Sequence, residues 1–179
     1  MDRTPTTTEP VPAALGRTFP PTLMAASLSG RVVTLPPDDA EGDVSLVVLV
    51  FLESAGPMAE SWSGPPFVGA FTENPPRVKT YLVAVIGDSL IGSSLADRIR
   101  QGGLAGGTPP PAEHDRVLIY PEDIERCRRA YAIGDPSLAY IYLLDGRGII
   151  RWMEKGTATP EGLAGLLDTA GAMLEPFLV

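Results

Sequence analysis

Few residues in this chain could act as nucleophiles, metal ligands or proton carriers, and they are scattered. Cys127 is the only cysteine and His114 the only histidine. A lone cysteine forms no internal disulfide. Cys127 lies in Ile124-Glu125-Arg126-Cys127-Arg128-Arg129. Neighbouring guanidinium groups would lower a thiol pKa, which suits a regulatory thiol. The other reading is a small apolar filler on the inner face of a helix. Arg126, Arg128 and Arg129 read either as a solvated helix face or as a patch for an acidic partner. His114, between Glu113 and Asp115, lacks further ligands at metal-binding spacing and reads as a solvated loop residue. The glycines at 102, 103, 106 and 107 lack the GxxxxGK[ST] spacing of a phosphate loop. No cofactor and no metal are expected.

The net charge of −8 repels a phosphate backbone, so nucleic acid is excluded as a partner class. No lysine or arginine cluster offers a footing on anionic lipid. The longest apolar run, Leu46 to Leu52, falls far short of the roughly 20 residues that span a bilayer. A soluble protein that meets a membrane only through protein partners is expected. The N-terminus shows neither the apolar core of a secretory signal nor an acid-free, arginine-rich presequence. A bacterial or cytosolic chain, import without a standard leader, and a start other than the precursor's all remain open.

The elements that must position these residues follow from periodicity. With 179 residues, 44% of them hydrophobic, the chain suits one domain with a tail. Residues 1–18, with Pro5, Pro10 and Pro12, read as a flexible N-terminal tail and 19–179 as a single domain. A hairpin is expected from Leu23–Leu28 and Arg31–Leu35, and buried strands at Val44–Leu52 and Val78–Ile86. Gly56-Pro57 opens a helix that must break at Pro65-Pro66. A second helix runs from Asp88 or Ser89 to about Arg100, before a glycine- and proline-rich loop at 102–113. Val117–Tyr120 is a short strand and Pro121–Tyr131 a helix. Leu138–Leu144 and Gly148–Met153 pair across Asp145-Gly146-Arg147-Gly148. Thr159-Pro160-Glu161 caps a final helix with Leu163, Leu166, Leu167, Ala170, Leu174 and Phe177 inward. The order predicts an α/β, thioredoxin-like three-layer sandwich, a central mixed sheet flanked by helices.

In such a fold the reactive cysteine follows the first long strand, at a helix N-terminus whose dipole favours the thiolate. That junction here reads Glu53-Ser54-Ala55-Gly56-Pro57-Met58. A serine without an adjacent base is a poor nucleophile. Pro136 stands too far before Ala139-Tyr140 for the cis-proline that normally precedes the hairpin strand. No thiol chemistry is expected.

Two segments carry a different signal. The first is Glu53-Ser54-Ala55 through Met58, Ser61-Trp62 and Pro66-Phe67; the second is Tyr140 through Asp145, Ile150-Arg151-Trp152, Gly156 and Ala158-Thr159-Pro160-Glu161. Together they resemble the mitochondrial ATP synthase assembly-factor family called ATP-ten, over roughly 44–174. The chain departs from the family pattern at Ala139, at Gly64 with its extra proline, and at Gly162. The resemblance implies a thioredoxin-like fold without reactive cysteines, on the matrix side of the mitochondrial inner membrane. It also implies a chaperone-like role in joining subunit a to the c-ring of the ATP synthase Fo sector. Trp62, Phe67, Tyr140, Arg151 and Trp152 are the candidate partner contacts. Two alternatives stand beside this: a permanent thioredoxin-like subunit of a large mitochondrial complex, and a thiol oxidoreductase.

Overall fold

A computed structural model describes residues 13–20, 23–37, 43–71, 77–87, 97 and 111–175. The β-branched run after Asp43 forms the central strand β3 (Val44–Val50), beside β4 (Val78–Ile86) in parallel. Further strands are β1 (Leu23–Ser27), β2 (Val32–Leu35), β5 (Val117–Pro121), β6 (Tyr140–Leu144) and β7 (Ile150–Lys155). Their order in one sheet is β2-β1-β5-β4-β3-β6-β7, with β3, β4 and β5 parallel and the remaining pairs antiparallel.

Alternation along β3 builds a core on each side of the sheet. Val44, Leu46 and Val48 meet Ala59, Trp62, Phe67, Leu166, Ala170 and Leu174. These belong to helices α1 (Gly56–Ser63), α2 (Pro65–Val68) and, for the last three, α4 (Pro160–Leu174). Val47 and Leu49 face the other core, with Phe19, Tyr81, Val83, Tyr131, Tyr142 and Cys127, the last from α3 (Ile124–Ala130). The expected three-layer α/β sandwich with a mixed sheet is what forms.

Several boundaries differ. Pro121 ends β5 opposite Ile86 rather than opening a helix. α3 begins instead where the Asp123 carboxylate accepts the Arg126 amide at 2.7 Å, an N-cap that proline lacks the side chain to supply. The break at Pro65-Pro66 separates α1 from α2 as expected. The helix expected at 88–100 lies outside the described residues, Asp97 aside, as do Phe177 and the glycine-rich stretch 102–110.

The boundary drawn at residue 18 is corrected by hydrogen bonding. The Ala13 amide donates to Ala130 O at 2.9 Å, and the Gly16 amide to Ile150 O at 2.8 Å. Arg17 O accepts from Ile150 at 2.9 Å, and Thr18 bridges Ile149. These bonds satisfy outward-facing backbone groups at the start of β7, so 13–18 is docked chain rather than tail. Residues 1–12 lie outside the described set. The docked segment delivers Phe19 to the rings of Tyr131 and Tyr142, with centroids at 5.2 and 5.4 Å. Beneath them the buried Tyr142 hydroxyl donates to Tyr131 O at 2.9 Å. Removing that hydroxyl leaves a buried carbonyl short of a donor. Tyr142→Phe is therefore expected to lower unfolding free energy by about 1–2 kcal/mol in a denaturant titration.

Candidate functional site

After β3 the chain passes exposed Leu52 into a 3-10 turn at Glu53–Ala55 and then into α1. Ser54 is exposed, and no side chain caps the start of α1. This is the position at which the fold would place a thiolate, and a serine and a proline occupy it. The one cysteine is elsewhere. Cys127 is buried in α3, and its thiol is pushed up to about 12 by burial, with Glu122 adding and Arg126 opposing. The reading of an arginine-activated thiol is therefore corrected: desolvation outweighs the guanidinium field.

The arginines are engaged locally. Arg126 pairs with Glu122 at 3.7 Å. Arg128 pairs with Glu125 at 2.9 Å and donates to Ile133 O and Gly134 O, closing the end of α3. His114 is half-buried in a 3-10 turn rather than in a solvated loop, and its carbonyl accepts the Leu28 amide at 3.1 Å. Among the described residues no group of carboxylate, thiol or imidazole side chains is placed to hold a metal.

The two signal-bearing segments meet in space. The Trp62 indole N–H donates to Gly156 O at 2.8 Å, and its ring packs against Trp152 with centroids at 5.2 Å. One residue earlier, the Ser61 hydroxyl donates to Met58 O at 2.6 Å and accepts the Ala158 amide at 2.9 Å. Gly156, at φ +81°, turns the chain so that its own amide reaches Ala139 O at 2.8 Å. Thr159 then caps α4 by accepting the Gly162 amide at 3.0 Å. A Cβ at Gly162 would stand 2.8 Å from Cη2 of Trp62, so the departure at 162 leaves room for the indole ring.

This seam redistributes the five candidate contacts. Trp62 and Phe67 are each 1% exposed and belong to the core beneath α1, α2 and α4. Tyr140 is buried on the opposite face of the sheet. Its hydroxyl accepts the Asp135 amide at 2.9 Å and donates to Asp135 O at 3.0 Å, tying down the turn before β6. In the folded chain these three side chains hold the platform and have little surface to offer a partner. Trp152 is half-buried beside Trp62.

Arg151 is exposed but at the other end of the sheet. Leu49, near the thioredoxin junction, pairs with Tyr140, whereas Arg151 follows Ile150, which pairs with Leu144 opposite Ser45. There its guanidinium reaches Asp145 at 2.7 Å. Partial burial would raise the Asp145 pKa, but the Ile149 amide, the Arg151 guanidinium and the Arg147 amide hold it below the usual carboxylate range. The pair Trp62–Trp152 is thus brought together, and Tyr140 and Arg151 are not. Pro136 does not stand in for the missing cis-proline; the cis peptide among the described residues is Leu35–Pro36.

The residues that sequence reasoning passed over as functional are Ser61, Gly156 and Gly162. Ser61 and Gly156 sit inside the quoted segments and Gly162 just after them, but the 94 and 97 residues that the hydrogen bonds of the seam span, and the similar separation of Gly162 from Trp62, leave no local periodicity to find.

A mixed sheet between two helical layers, with no cysteine at the strand-to-helix junction, defines a thioredoxin-like protein without the fold's reactive thiols. Solved structures agree on the fold. BsSco, of the Sco family of cytochrome c oxidase assembly proteins, is 12% identical, with TM-score 0.59 over 92% of this chain and 98% of that one. A putative thiol:disulfide interchange protein DsbE from Chlorobium tepidum is 20% identical, with TM-score 0.57 over 90% and 99%. The reduced 2-Cys peroxiredoxin of Plasmodium vivax is 16% identical, with TM-score 0.56 over 93% and 100%. No curated protein sequence matches the chain. The chain belongs to the ATP10 protein family, whose model matches residues 16–172. That family is associated with assembly of the mitochondrial ATP synthase.

Two measurements check the site. Gly162→Leu is expected to cost about 1–3 kcal/mol by displacing Trp62, although it replaces a poor helix former. Gly171→Ala in the same helix, where a Cβ meets nothing within 4 Å, should instead gain about 1 kcal/mol. Cys127 should resist a thiol reagent at pH 8 in the native protein and react on unfolding; rapid native labelling contradicts its burial.

Proposed function

We propose that this chain is a non-catalytic assembly factor for the Fo sector of ATP synthase. In this reading it works on the matrix side of the mitochondrial inner membrane and helps subunit a join the c-ring. Membership of the ATP10 family supports the link to ATP synthase assembly. The observation that carries the non-catalytic half is the strand-to-helix junction. Glu53-Ser54-Ala55-Gly56-Pro57 stands where a nucleophile would be, and the sole thiol is sealed beneath α3 with its pKa raised.

Holding a client without chemistry asks for a rigid surface rather than a reactive group. The Trp62 seam supplies the rigidity, because hydrogen bonds and ring contacts lock α1 to the loop that leads into α4. Among the described residues no helix is long and apolar enough to cross a membrane, so contact with Fo would run through protein partners.

Affinity purification of the tagged full chain from mitochondria that contain ATP synthase is expected to recover Fo subunits, subunit a foremost. Recovery of none from such a host sinks the reading. A disulfide-reductase assay on the same preparation is expected to show no activity above a buffer control.

A further inference from the structure

The charge of this protein is divided between its layers. Helices α1 and α2 carry Glu60 as their one charged residue, and α4 carries Glu161 and Asp168; none of the three holds a lysine or arginine. In the sequence, none of the 14 lysines and arginines falls in 44–76 or in 156–179. The other layer carries Arg126, Arg128 and Arg129 on α3, with Arg17 on the docked segment beside it.

Asp43, Asp115, Glu122, Glu125 and Asp145 each meet a cation within 4 Å. Glu60, Glu161 and Asp168 are exposed, and none of the described ion pairs includes them. Two of them border one seam: Glu60 precedes Ser61, which holds Ala158, and Glu161 precedes Gly162, which the Trp62 ring abuts; Asp168 lies further along α4.

The same three helices and the turn before α1 also expose apolar side chains. Val68 is 54% exposed and Leu52 49%, while Ala164 and Ala172 lie open along α4. A face that is both apolar and singly charged favours one kind of occupant, a segment with apolar side chains flanked by lysine or arginine. It disfavours the anionic surface of a lipid bilayer and acidic peptides alike.

We propose that the outer face of α1, α2 and α4 is the docking surface for a basic, amphipathic segment of the client protein. The identity of the client rests on the assembly reading above; the chemistry of the surface does not. Apolar contacts hold the segment, and Glu60, Glu161 and Asp168 set its orientation by pairing with its flanking cations.

The experiment has two arms. In the first, purified protein is titrated into a fluorescein-labelled amphipathic Leu/Lys peptide and into its Leu/Glu counterpart, followed by anisotropy. The Leu/Lys peptide is expected to bind, weakening with added salt, and the Leu/Glu peptide is not. Glu161→Lys with Asp168→Lys should weaken Leu/Lys binding by about tenfold or more. Glu113→Lys with Glu125→Lys, an equal charge change away from this layer, should leave it within about twofold. A melt of each variant reports folding, and Glu161→Gln with Asp168→Asn repeats the test should the lysine pair fail to fold. Unchanged affinity in the α4 variants, an equal loss in the control, or no Leu/Lys binding overturns the proposal.

The second arm repeats the purification of Fo subunits with the same variants. Loss of subunit a from the α4 variants alone supports the proposal, and retention overturns it. If the unaltered protein recovers no Fo subunit, the assembly reading fails, and the peptide arm alone decides the surface.

Discussion

One hydrogen bond sits at the centre of this structure, from the Trp62 indole N–H to the Gly156 carbonyl. A buried tryptophan removes on the order of 200 Å² from water, worth about 5 kcal/mol at 25 cal/mol per Å². The N–H must find an acceptor or offset part of that gain. The loop from Gly156 to Thr159 exists in the shape that offers one. Gly156 adopts a left-handed backbone, binds Ala139 through its amide and presents its carbonyl to Trp62. Thr159 can then cap α4 while Gly162 yields space to the ring. Each step requires the previous one, and together they close one layer of the sandwich over β3 and β6.

The same arrangement explains how a thioredoxin scaffold can lose its chemistry and keep its shape. A reactive thiol belongs to the first turn of α1, where the helix dipole acts. The seam is anchored a turn and a half further on, at Ser61 and Trp62, and within 53–58 it is Ala55 and Met58 that pack into the core. The single cysteine lies in the opposite core, where desolvation keeps it protonated. What is left at the surface of α1, α2 and α4 is a set of acidic and apolar side chains, with no thiol among them.

Much of the fold was readable from the chain. The two buried strands, the break at Pro65-Pro66, the turn at Asp145-Gly146-Arg147-Gly148 and the capped last helix are local signals. In β6 the alternation of the strand puts Tyr140 and Tyr142 on one face and Ile141 and Leu143 on the other. The candidate contacts were harder, because a tryptophan in a motif looks the same whether it faces a partner or the core. Trp62 and Phe67 are buried because their neighbours in α4 lie about a hundred residues away, and no window of sequence contains both. Arg151 and Trp152 part company for a related reason. Trp152 reaches the seam, while the hairpin register sends Arg151 to Asp145 at the far end of the sheet. The docked segment at 13–18 was hidden too, since its bonds are made by backbone groups that composition does not reveal.

The central claim is that this family member works through its surface and needs no thiol. The most direct measurement is the amount of assembled ATP synthase, read on native gels, in a host whose own ATP10 family member has been deleted. Supplied in its place, Cys127→Ala and Cys127→Ser variants accumulated to the level of the unaltered chain should restore the complex as fully as that chain does. Failure of both stable variants, where the unaltered chain succeeds, would contradict the account.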